Sequence, residues 1–285
     1  MIDKMIIIVT GSGGQLGTDV VSELQRRGAE VIGADLPGTD ITDFDAVGAL
    51  IEREKPCAVI HLAAYTAVDK AESEKELCRK INESATENLA RICGEKGIKL
   101  LYTSTDYVFG GSGESFYETD DEKAPLNIYG ETKLGGERAV EELCEKHFIV
   151  RISWVFGKNG KNFVYTMLRL GDERDEISVV CDQIGSPTYT ADLAPLLCDM
   201  IESEKYGTYH ATNEGVCSFA EFAAEIMRLS GKKAKILPIS TEEYPAPAKR
   251  PHNSRLSKKS LDENGFARLP SWQDALRRFL DEAEL

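Results

Sequence analysis

Short apolar runs alternate with segments of helical periodicity through the first half of the chain. Residues 5–9 are continuously apolar and stop before a glycine turn, which is typical of a strand covered on both faces. Leu16, Val20 and Leu24 then recur at helical spacing, and Gly28 suits the end of that helix. The same alternation predicts further strands at 30–34, 58–62, 98–103 and 148–152, and further helices at 44–54, 74–96 and 129–146.

This order of elements predicts an α/β fold, a Rossmann-like doubly wound parallel sheet with right-handed crossovers. After about residue 157 the rhythm changes. The pattern there predicts helices at 162–170, 191–204, 219–230 and 271–284, a strand at 207–212, and an irregular proline-rich stretch at 238–255. We therefore expect a dinucleotide-binding domain over residues 1–156 and a smaller C-terminal substrate-binding lobe over residues 157–285, interleaved with the first domain.

The charge and composition of the chain exclude several classes of protein. Its 285 residues include 34 Lys and Arg against 48 Asp and Glu, a net charge of −14, which argues against nucleic-acid or anionic-membrane partners. No apolar run reaches the roughly 20 residues that span a bilayer, and residues 1–4 do not begin a signal peptide, so we expect a cytoplasmic location. The seven cysteines are scattered without a C-x-x-C pair, and the four histidines lack metal-ligand spacing. We expect reduced thiols and no metal site.

A glycine-rich turn follows the first predicted strand. Gly11, Gly14 and Gly17 have the G-x-x-G-x-x-G spacing, in which glycines allow a tight turn, a close backbone approach to a pyrophosphate, and close packing of helix on strand. Free N–H groups and the positive end of the helix dipole would meet the phosphates. This position in a strand-turn-helix unit predicts a dinucleotide cofactor.

The end of the second predicted strand carries the residues for the adenosine half. Asp35 stands 24 positions after Gly11, near the ~20-residue offset of the acid that binds ribose hydroxyls. A carboxylate there repels a 2′-phosphate and favours NADH, although Asp35 also begins a stretch with the chemistry of a surface turn. Asp40 and Ile41 lie either against the adenine or at the N-cap of the next helix.

A tyrosine and a lysine occupy one face of the helix before the fifth strand. Tyr129 and Lys133 are four residues apart. A neighbouring ammonium stabilises a phenolate and lowers the phenol pKa from its usual ~10, which makes the tyrosine a proton donor at neutral pH. Thr105 ends the fourth strand, where doubly wound sheets bind ligands, and its hydroxyl is placed to polarise a carbonyl. The arrangement fits hydride transfer with proton donation.

These motifs resemble the extended short-chain dehydrogenase/reductase family, and within it the reductases of dTDP-linked 4-keto-6-deoxy sugars. The resemblance covers nearly the whole chain. It rests on GQLG (14–17), AAYTAVDKAE (63–72), STDYVF (104–109), YGETK (129–133), SWVF (153–156), RPHNSRL (250–256) and LPSW (269–272).

The resemblance implies NAD(P)H-dependent reduction of the C4 ketone of dTDP-4-dehydro-L-rhamnose, with Tyr129 as proton donor. It implies a catalytic group of Thr105, Tyr129 and Lys133 and pyrophosphate contacts from Gly14, Gln15 and Leu16. It also implies cofactor contacts from Ala64, Tyr65, Thr66, Tyr129 and Lys133, and sugar contacts from Thr105, Asp106 and Trp154. Trp154 also has an ordinary alternative as a core aromatic at a strand end. A homodimer is compatible with the resemblance, and some relatives hold Mg²⁺ at that contact, but nothing in this sequence supports a metal.

Residues 244–261 contain no acid in an otherwise acidic chain. A dTDP-sugar brings a diphosphate, for which arginine is the best charge-assisted donor. Arg250 and Arg255 are therefore predicted to contact the nucleotide, whereas Lys258 and Lys259 are assigned to a solvated loop.

Two alternatives to a reductase stay open. A dehydratase of this family carries Asp-Glu after the threonine, but here Tyr107 replaces that glutamate, and an epimerase would return its cofactor unchanged. A non-catalytic regulatory subunit, such as that of methionine adenosyltransferase, shares the scaffold. One departure from the family pattern is His61, which stands where asparagine is common and is interpreted as a buried structural histidine.

Overall fold

The computed structural model describes residues 5–283 of the chain. Its strands are β1 Ile6–Thr10, β2 Glu30–Ala34, β3 Ala58–His61, β4 Lys99–Thr105, β5 His147–Ile152, β6 Val155–Phe156, β7 Glu176–Val180, β8 Ile184–Gly185, β9 Thr188–Tyr189, β10 Gly207–His210, β11 Cys217–Ser218 and β12 Lys235–Ile239. Its α-helices are α1 Gln15–Arg26, α2 Phe44–Glu54, α3 Val68–Ala71, α4 Lys75–Arg79, α5 Ala85–Lys96, α6 Ile128–Leu143, α7 Phe163–Glu173, α8 Thr190–Glu202, α9 Phe219–Ser230, α10 Lys259–Glu263 and α11 Trp272–Glu282. A π-helical segment, Lys80–Ser84, joins α4 to α5, and 3₁₀ turns lie at Asp106–Val108 and Thr241–Glu243.

A six-stranded parallel sheet in the order β10-β5-β4-β3-β1-β2 forms the centre of the molecule. The apolar runs of its middle strands are fully buried, as Ile7, Val9 and Ile60 show, because helices cover both faces. The predicted α/β doubly wound architecture is confirmed. The carboxyl ends of β1, β3 and β4 meet at one edge of this sheet, where open α/β sheets bind their ligands.

The C-terminal half has its own apolar cluster but also completes the central sheet. β10 pairs with β5 in parallel, with Gly207 opposite Phe148. The cluster lies between α7, α9 and α11 and includes Phe156, Phe222 and Phe279. β7 and β12 form a separate two-stranded parallel sheet beside it. The chain therefore returns to the central sheet after residue 157, while the division into two lobes, their interleaving and the boundary at residue 157 stay predictions.

Several element boundaries differ from the predictions for physical reasons. The predicted helix 74–96 contains the π-helical segment, which shifts the positions of its side chains around the helix axis. β7 was missed, and β12 overlaps the stretch predicted to be irregular. Helix 219–230 is confirmed residue for residue, with a capping box between Ser218 and Glu221. The predicted helix 271–284 is α11, and its last predicted residue lies outside the described residues.

Candidate active site

The glycine turn connects β1 to α1 through two close backbone approaches. Gly11 has φ +70°, and a side chain there would lie 2.7 Å from the Ala63 nitrogen. A Cβ on Gly17 would lie 1.9 Å from the Gly11 oxygen, so only glycine fits. α1 begins at Gln15 without a side-chain cap from Gly14 and without an acid in its first turn. The positive end of its dipole is therefore suited to an anion, as the spacing predicted.

An apolar groove lies beyond this turn, at the carboxyl end of β2. It encloses about 340 Å³ and is lined by Ala34, Asp35, Leu36, Thr39, Asp40, Ile41, Thr42, Ala63, Ala64, Leu77 and Ile81. Leu36 and Leu77 both line this groove and are 73% and 46% exposed. The groove has the dimensions and apolar lining of an adenine site, and it brings together Asp35, Asp40 and Ile41 as predicted from the sequence.

The acids around this groove have separate structural partners. One oxygen of Asp35 accepts from the Gly13 nitrogen at 2.6 Å and from the Ser12 hydroxyl at 2.5 Å, so the carboxylate holds the glycine turn in place. Asp40 accepts from the Thr42 nitrogen at 2.8 Å, which lowers its pKa. The N-cap of α2 is Asp43, which leaves Asp40 on the groove.

The loop after β3 carries the cofactor residues Ala64, Tyr65 and Thr66 and is held by a residue that sequence reasoning missed. Asn82, in the π-helical segment, accepts from the Tyr65 nitrogen at 2.8 Å and donates to the Tyr65 oxygen at 3.2 Å. Asn82 is 1% exposed. A buried asparagine inside an amphipathic helix pattern is the signal that was available, but its partner lies 17 residues away.

Thr105 ends β4 and is buried beside Asp106. Its hydroxyl donates to Asp106 Oδ1 at 3.0 Å and accepts from the Tyr107 nitrogen at 3.2 Å. Burial raises the pKa of Asp106 to about 6. The second oxygen, Oδ2, is buried and has no hydrogen-bond partner among residues 5–283. The side chain of Ser254 lowers the pKa of Asp106 by hydrogen bonding, but by less than burial raises it. A buried carboxylate oxygen of this kind is suited to accept from a ligand hydroxyl.

Tyr129 is half-buried in the first turn of α6. Asn127 caps that helix by accepting from the Gly130 nitrogen at 2.8 Å. A Cβ on Gly130 would lie 2.2 Å from the Tyr107 oxygen, so the helix end rests directly on the turn after β4. The rings of Tyr107 and Tyr129 meet edge to face with centroids 5.8 Å apart. These contacts fix the phenol at the carboxyl end of β4.

Lys133 lies one turn further along α6 with its ammonium buried. Nζ donates to the Thr103 oxygen at 2.6 Å and lies 4.1 Å from the centre of the Tyr102 ring. Burial lowers the pKa of Lys133 to about 7, against a raising effect from Glu137. Burial also raises the pKa of Tyr129, although a hydrogen bond with Thr105 opposes it. The expected lowering of the phenol pKa is therefore wrong in this structure, because burial raises that pKa, Asp106 raises it further, and the opposing hydrogen bond with Thr105 is weaker than burial.

Trp154 has a conformation that non-glycine residues rarely adopt. Its φ is +49°, and such strain is commonly retained at functional positions. The indole stacks on Phe219 with centroids 3.7 Å apart, and it closely approaches Gly185. The stacking contact supports the alternative role of Trp154 as a core aromatic residue, yet its side chain is partly exposed. The sugar contact remains a prediction.

A proline-rich strap, residues 244–251, crosses α3 close to the turn after β4. Arg250 donates from two nitrogens to the Asp69 carboxylate, at 2.8 and 3.1 Å, and holds the pKa of Asp69 below its usual range. Arg255 instead binds the side chain of Asn253 at 2.9 Å. Lys258 is 5% exposed with a pKa lowered by burial to about 8, so its assignment to a solvated loop is wrong.

The remaining sequence expectations concern metals, thiols and membranes. Within residues 5–283, no group of three or more His, Cys, Asp or Glu residues is arranged to hold a metal ion. All seven cysteines lie in that range, and each is a free thiol. No helix in the described part of the chain is long and apolar enough to span a bilayer.

Comparison with known proteins gives matches along the whole chain. The family model described as RmlD substrate binding domain matches residues 5–285. The dTDP-4-dehydrorhamnose reductase of Escherichia coli K12 is 39% identical, over 98% of each chain. The crystal structure of the Bacillus anthracis dTDP-4-dehydrorhamnose reductase in complex with NADP is similar at 46% identity, with a TM-score of 0.95 over 98% of this chain and 99% of that one. The Clostridium acetobutylicum structure of the same name is similar at 42% identity, with a TM-score of 0.96 over 99% of this chain and 100% of that one.

Proposed function

Because the chain belongs to the RmlD substrate binding domain family, the family of the dTDP-4-dehydrorhamnose reductases, we propose that this site reduces the C4 ketone of dTDP-4-dehydro-L-rhamnose. The protein is an NAD(P)H-dependent oxidoreductase of dTDP-rhamnose synthesis. The observation that carries the assignment of residues is the convergence of Thr105, Tyr129 and Lys133 at the carboxyl end of β4, beside a groove suited to a dinucleotide.

The residues present fit the nicotinamide dinucleotide. The close approach of Gly17 to Gly11 leaves the N–H groups at the start of α1 beside the turn, where the pyrophosphate would bind with Gly14, Gln15 and Leu16. Asp35 and the apolar groove would hold the adenosine. When bound, the nicotinamide supplies the hydride.

Tyr129 is the proposed proton donor to the carbonyl oxygen. Burial raises its pKa, so the phenol stays protonated until an alkoxide develops next to it. The phenolate that remains requires a positive charge nearby, and Lys133, with a pKa of about 7, is charged in a large fraction of molecules at neutral pH. Thr105 would position the phenol by accepting a hydrogen bond from it, because the Thr105 proton goes to Asp106.

The sugar and nucleotide halves of the substrate would meet different parts of the site. Asp106 Oδ2, buried and without a described partner, would accept from a sugar hydroxyl. Thr105 already donates its proton to Asp106. It would polarise a substrate carbonyl only after its proton turns from Asp106 to the carbonyl oxygen. Arg250 would reach the diphosphate with the donors that Asp69 and the Ala248 oxygen leave over, which are Nε–H and the second proton of Nη2.

The test is turnover by the Tyr129→Phe variant with dTDP-4-dehydro-L-rhamnose. We expect no oxidation of NADH or NADPH with this variant, while the cofactor dissociation constant stays near the wild-type value. Tyr165→Phe is the matched control, because within residues 5–283 its hydroxyl hydrogen-bonds only the Lys158 oxygen, outside the site. A near-native rate for Tyr129→Phe contradicts the assignment of the donor.

The same assay separates the reductase from its alternatives. Stoichiometric loss of reduced cofactor identifies a reductase, whereas an epimerase returns it unchanged. Binding to a synthetase without turnover of any ketosugar would identify a regulatory subunit. A homodimer, the cytoplasmic location and NADH preference remain predictions, and the NADP complex of the Bacillus anthracis relative makes NADPH the first cofactor to assay.

A further inference from the structure

His61 lies at the junction of β3 and the cofactor loop, defined here as residues 63–66. It is the last residue of β3, opposite Thr10 of β1 and Tyr102 of β4, and it is completely buried. Both ring nitrogens have partners: Nδ1 lies 2.6 Å from the Thr10 hydroxyl, and Nε2 lies 3.0 Å from the Thr86 hydroxyl. The sequence interpretation of a satisfied buried histidine is confirmed, but the partners give it a further role.

The surrounding hydrogen bonds fix the positions of the protons. The Thr86 hydroxyl lies 2.8 Å from the Asn82 backbone oxygen, and two oxygens at that distance require the hydroxyl proton between them. Thr86 can then only accept from His61, so Nε2 carries the ring proton. Burial lowers the pKa of His61 to about 3, so the ring is neutral and Nδ1 is an acceptor. Thr10 must donate to it.

The result is a single directed chain of hydrogen bonds. The Ala63 nitrogen donates to the Thr10 hydroxyl at 3.2 Å, Thr10 donates to His61, His61 donates to Thr86, and Thr86 donates to the Asn82 oxygen. The first member is the cofactor loop itself. The last member is the backbone oxygen of Asn82, and the side-chain amide of the same residue clamps the backbone of Tyr65 in the cofactor loop.

We infer that His61 is a positioning residue for the cofactor: its neutral Nε2–H imidazole connects the two attachments of the cofactor loop, at Ala63 and at Tyr65, into one unit. The loop is thereby held against Gly11, where an added Cβ would lie within 3 Å of the Ala63 backbone. The ring also stacks on Tyr102, with centroids 5.5 Å apart, and Tyr102 carries the Lys133 ammonium on its ring. The inference rests on the proposed function, because it assumes a dinucleotide beside this loop.

The direct test is a comparison of His61→Leu with the wild type. Leucine fills the site without ring nitrogens and leaves Thr10 and Thr86 without this bridge. We expect the dissociation constant and KM for NADPH to rise about tenfold, the effect of one or two lost hydrogen bonds, while kcat changes much less. His147→Leu is the matched control, because in the described part of the chain that ring hydrogen-bonds only the Cys144 oxygen, at the opposite end of the sheet. It should leave cofactor affinity unchanged.

The proton arrangement has its own spectroscopic signature. A ¹⁵N–¹H spectrum of the imidazoles, with the His61 signals assigned by their loss in His61→Leu, should show a protonated Nε2 and an unprotonated Nδ1. The opposite tautomer would overturn the inference. Thr86→Val, which removes the acceptor at the far end of the chain, should also weaken NADPH binding several-fold.

Cofactor binding is measured without a sugar, which separates the two levels of the argument. If the wild type binds neither NADH nor NADPH, the proposed function fails. If the wild type binds NADPH and both His61→Leu and Thr86→Val bind it equally well, His61 is merely a structural residue and the inference fails. Should His61→Leu not fold, Thr86→Val and the spectrum of the wild type decide the question.

Discussion

A buried ion pair behind the catalytic lysine makes a quantitative prediction about stability. Arg151 donates to both oxygens of Glu137, at 2.8 and 2.7 Å, and the two side chains are 1% and 2% exposed. The remaining guanidinium nitrogen donates to the Thr119 oxygen at 2.8 Å and to His210 at 3.3 Å. Replacing one partner would leave a desolvated charge, the most destabilising kind of polar substitution.

Glu137→Gln is the perturbation, because it preserves the shape of the side chain and removes its charge. The amide leaves Arg151 with one acceptor and one opposing NH₂ group. Breaking a buried pair in this way costs about 3–5 kcal/mol. With an unfolding entropy of about 2.1 cal/mol/K per residue, the 285 residues give roughly 0.6 kcal/mol/K, so Tm should fall by about 5–8 °C.

The measurement is thermal unfolding by circular dichroism or calorimetry. Glu173→Gln provides the matched control, because Glu173 accepts from Arg169 at 2.7 Å with both side chains half exposed or more. Exposed helix pairs contribute only about 0.3–0.5 kcal/mol, so Tm should change by less than about 1 °C. A double replacement by methionine, Glu137→Met with Arg151→Met, should recover most of the loss. Equal Tm values for the two glutamine variants would refute the reasoning.

Further predictions address the phosphate turn, the buried acid and the sugar contact. Gly17→Ala should abolish cofactor binding in a dissociation-constant measurement, because its Cβ would lie 1.9 Å from the Gly11 oxygen, whereas Gly48→Ala, with its nearest neighbour at 4.0 Å, should bind normally. Asp106→Asn should raise the free energy of unfolding above about pH 6. The pKa of Asp106 is about 6 in the folded protein and 3.8 in the unfolded chain, so the folded state loses stability as the pH rises from about 4 to about 6 and this carboxyl ionises. The asparagine variant avoids that loss. The gain should vanish by about pH 4, and a pH-independent gain would argue against a buried charge. Trp154→Phe should raise KM for the dTDP-sugar and leave KM for NADPH unchanged; equal changes in both would contradict a sugar contact.

The parts of the site that could be predicted from the sequence are those formed by residues close to one another along the chain. The glycine spacing follows from backbone approaches within one turn, and the pair of Tyr129 and Lys133 follows from helical spacing. The strand order could be inferred because parallel strands need right-handed crossovers. In each case, the residues that decide the outcome lie within a few positions of one another or in consecutive elements.

The parts that were missed depend on contacts between distant segments. The role of Asn82 as a clamp for Tyr65 was missed because its partner lies 17 residues away along the chain, across the loop after β3. Lys258 was expected in solvent because its neighbours along the chain are polar, yet tertiary packing buries it. The direction of the Tyr129 pKa was wrong for the same reason: a neighbouring charge can be read from spacing, but the degree of burial cannot.

The net charge of −14 describes the whole chain and not the site, which binds anions. A dinucleotide and a dTDP-sugar are both anions, and a uniformly acidic surface would repel them. Exposed charges beyond about 8–10 Å are screened at physiological ionic strength, whereas contacts within the site are not.

The phosphate turn uses backbone N–H groups and carries no acid in the first turn of α1, and Arg250 stands in a stretch free of acids. Asp69 neutralises much of the charge of that arginine, so the affinity for the nucleotide half should depend on the geometry of the remaining guanidinium donors more than on the total charge. Arg250→Lys, which retains the charge but loses the planar donors, should therefore weaken dTDP-sugar binding nearly as much as Arg250→Ala. An affinity fully preserved in Arg250→Lys would show that charge alone suffices.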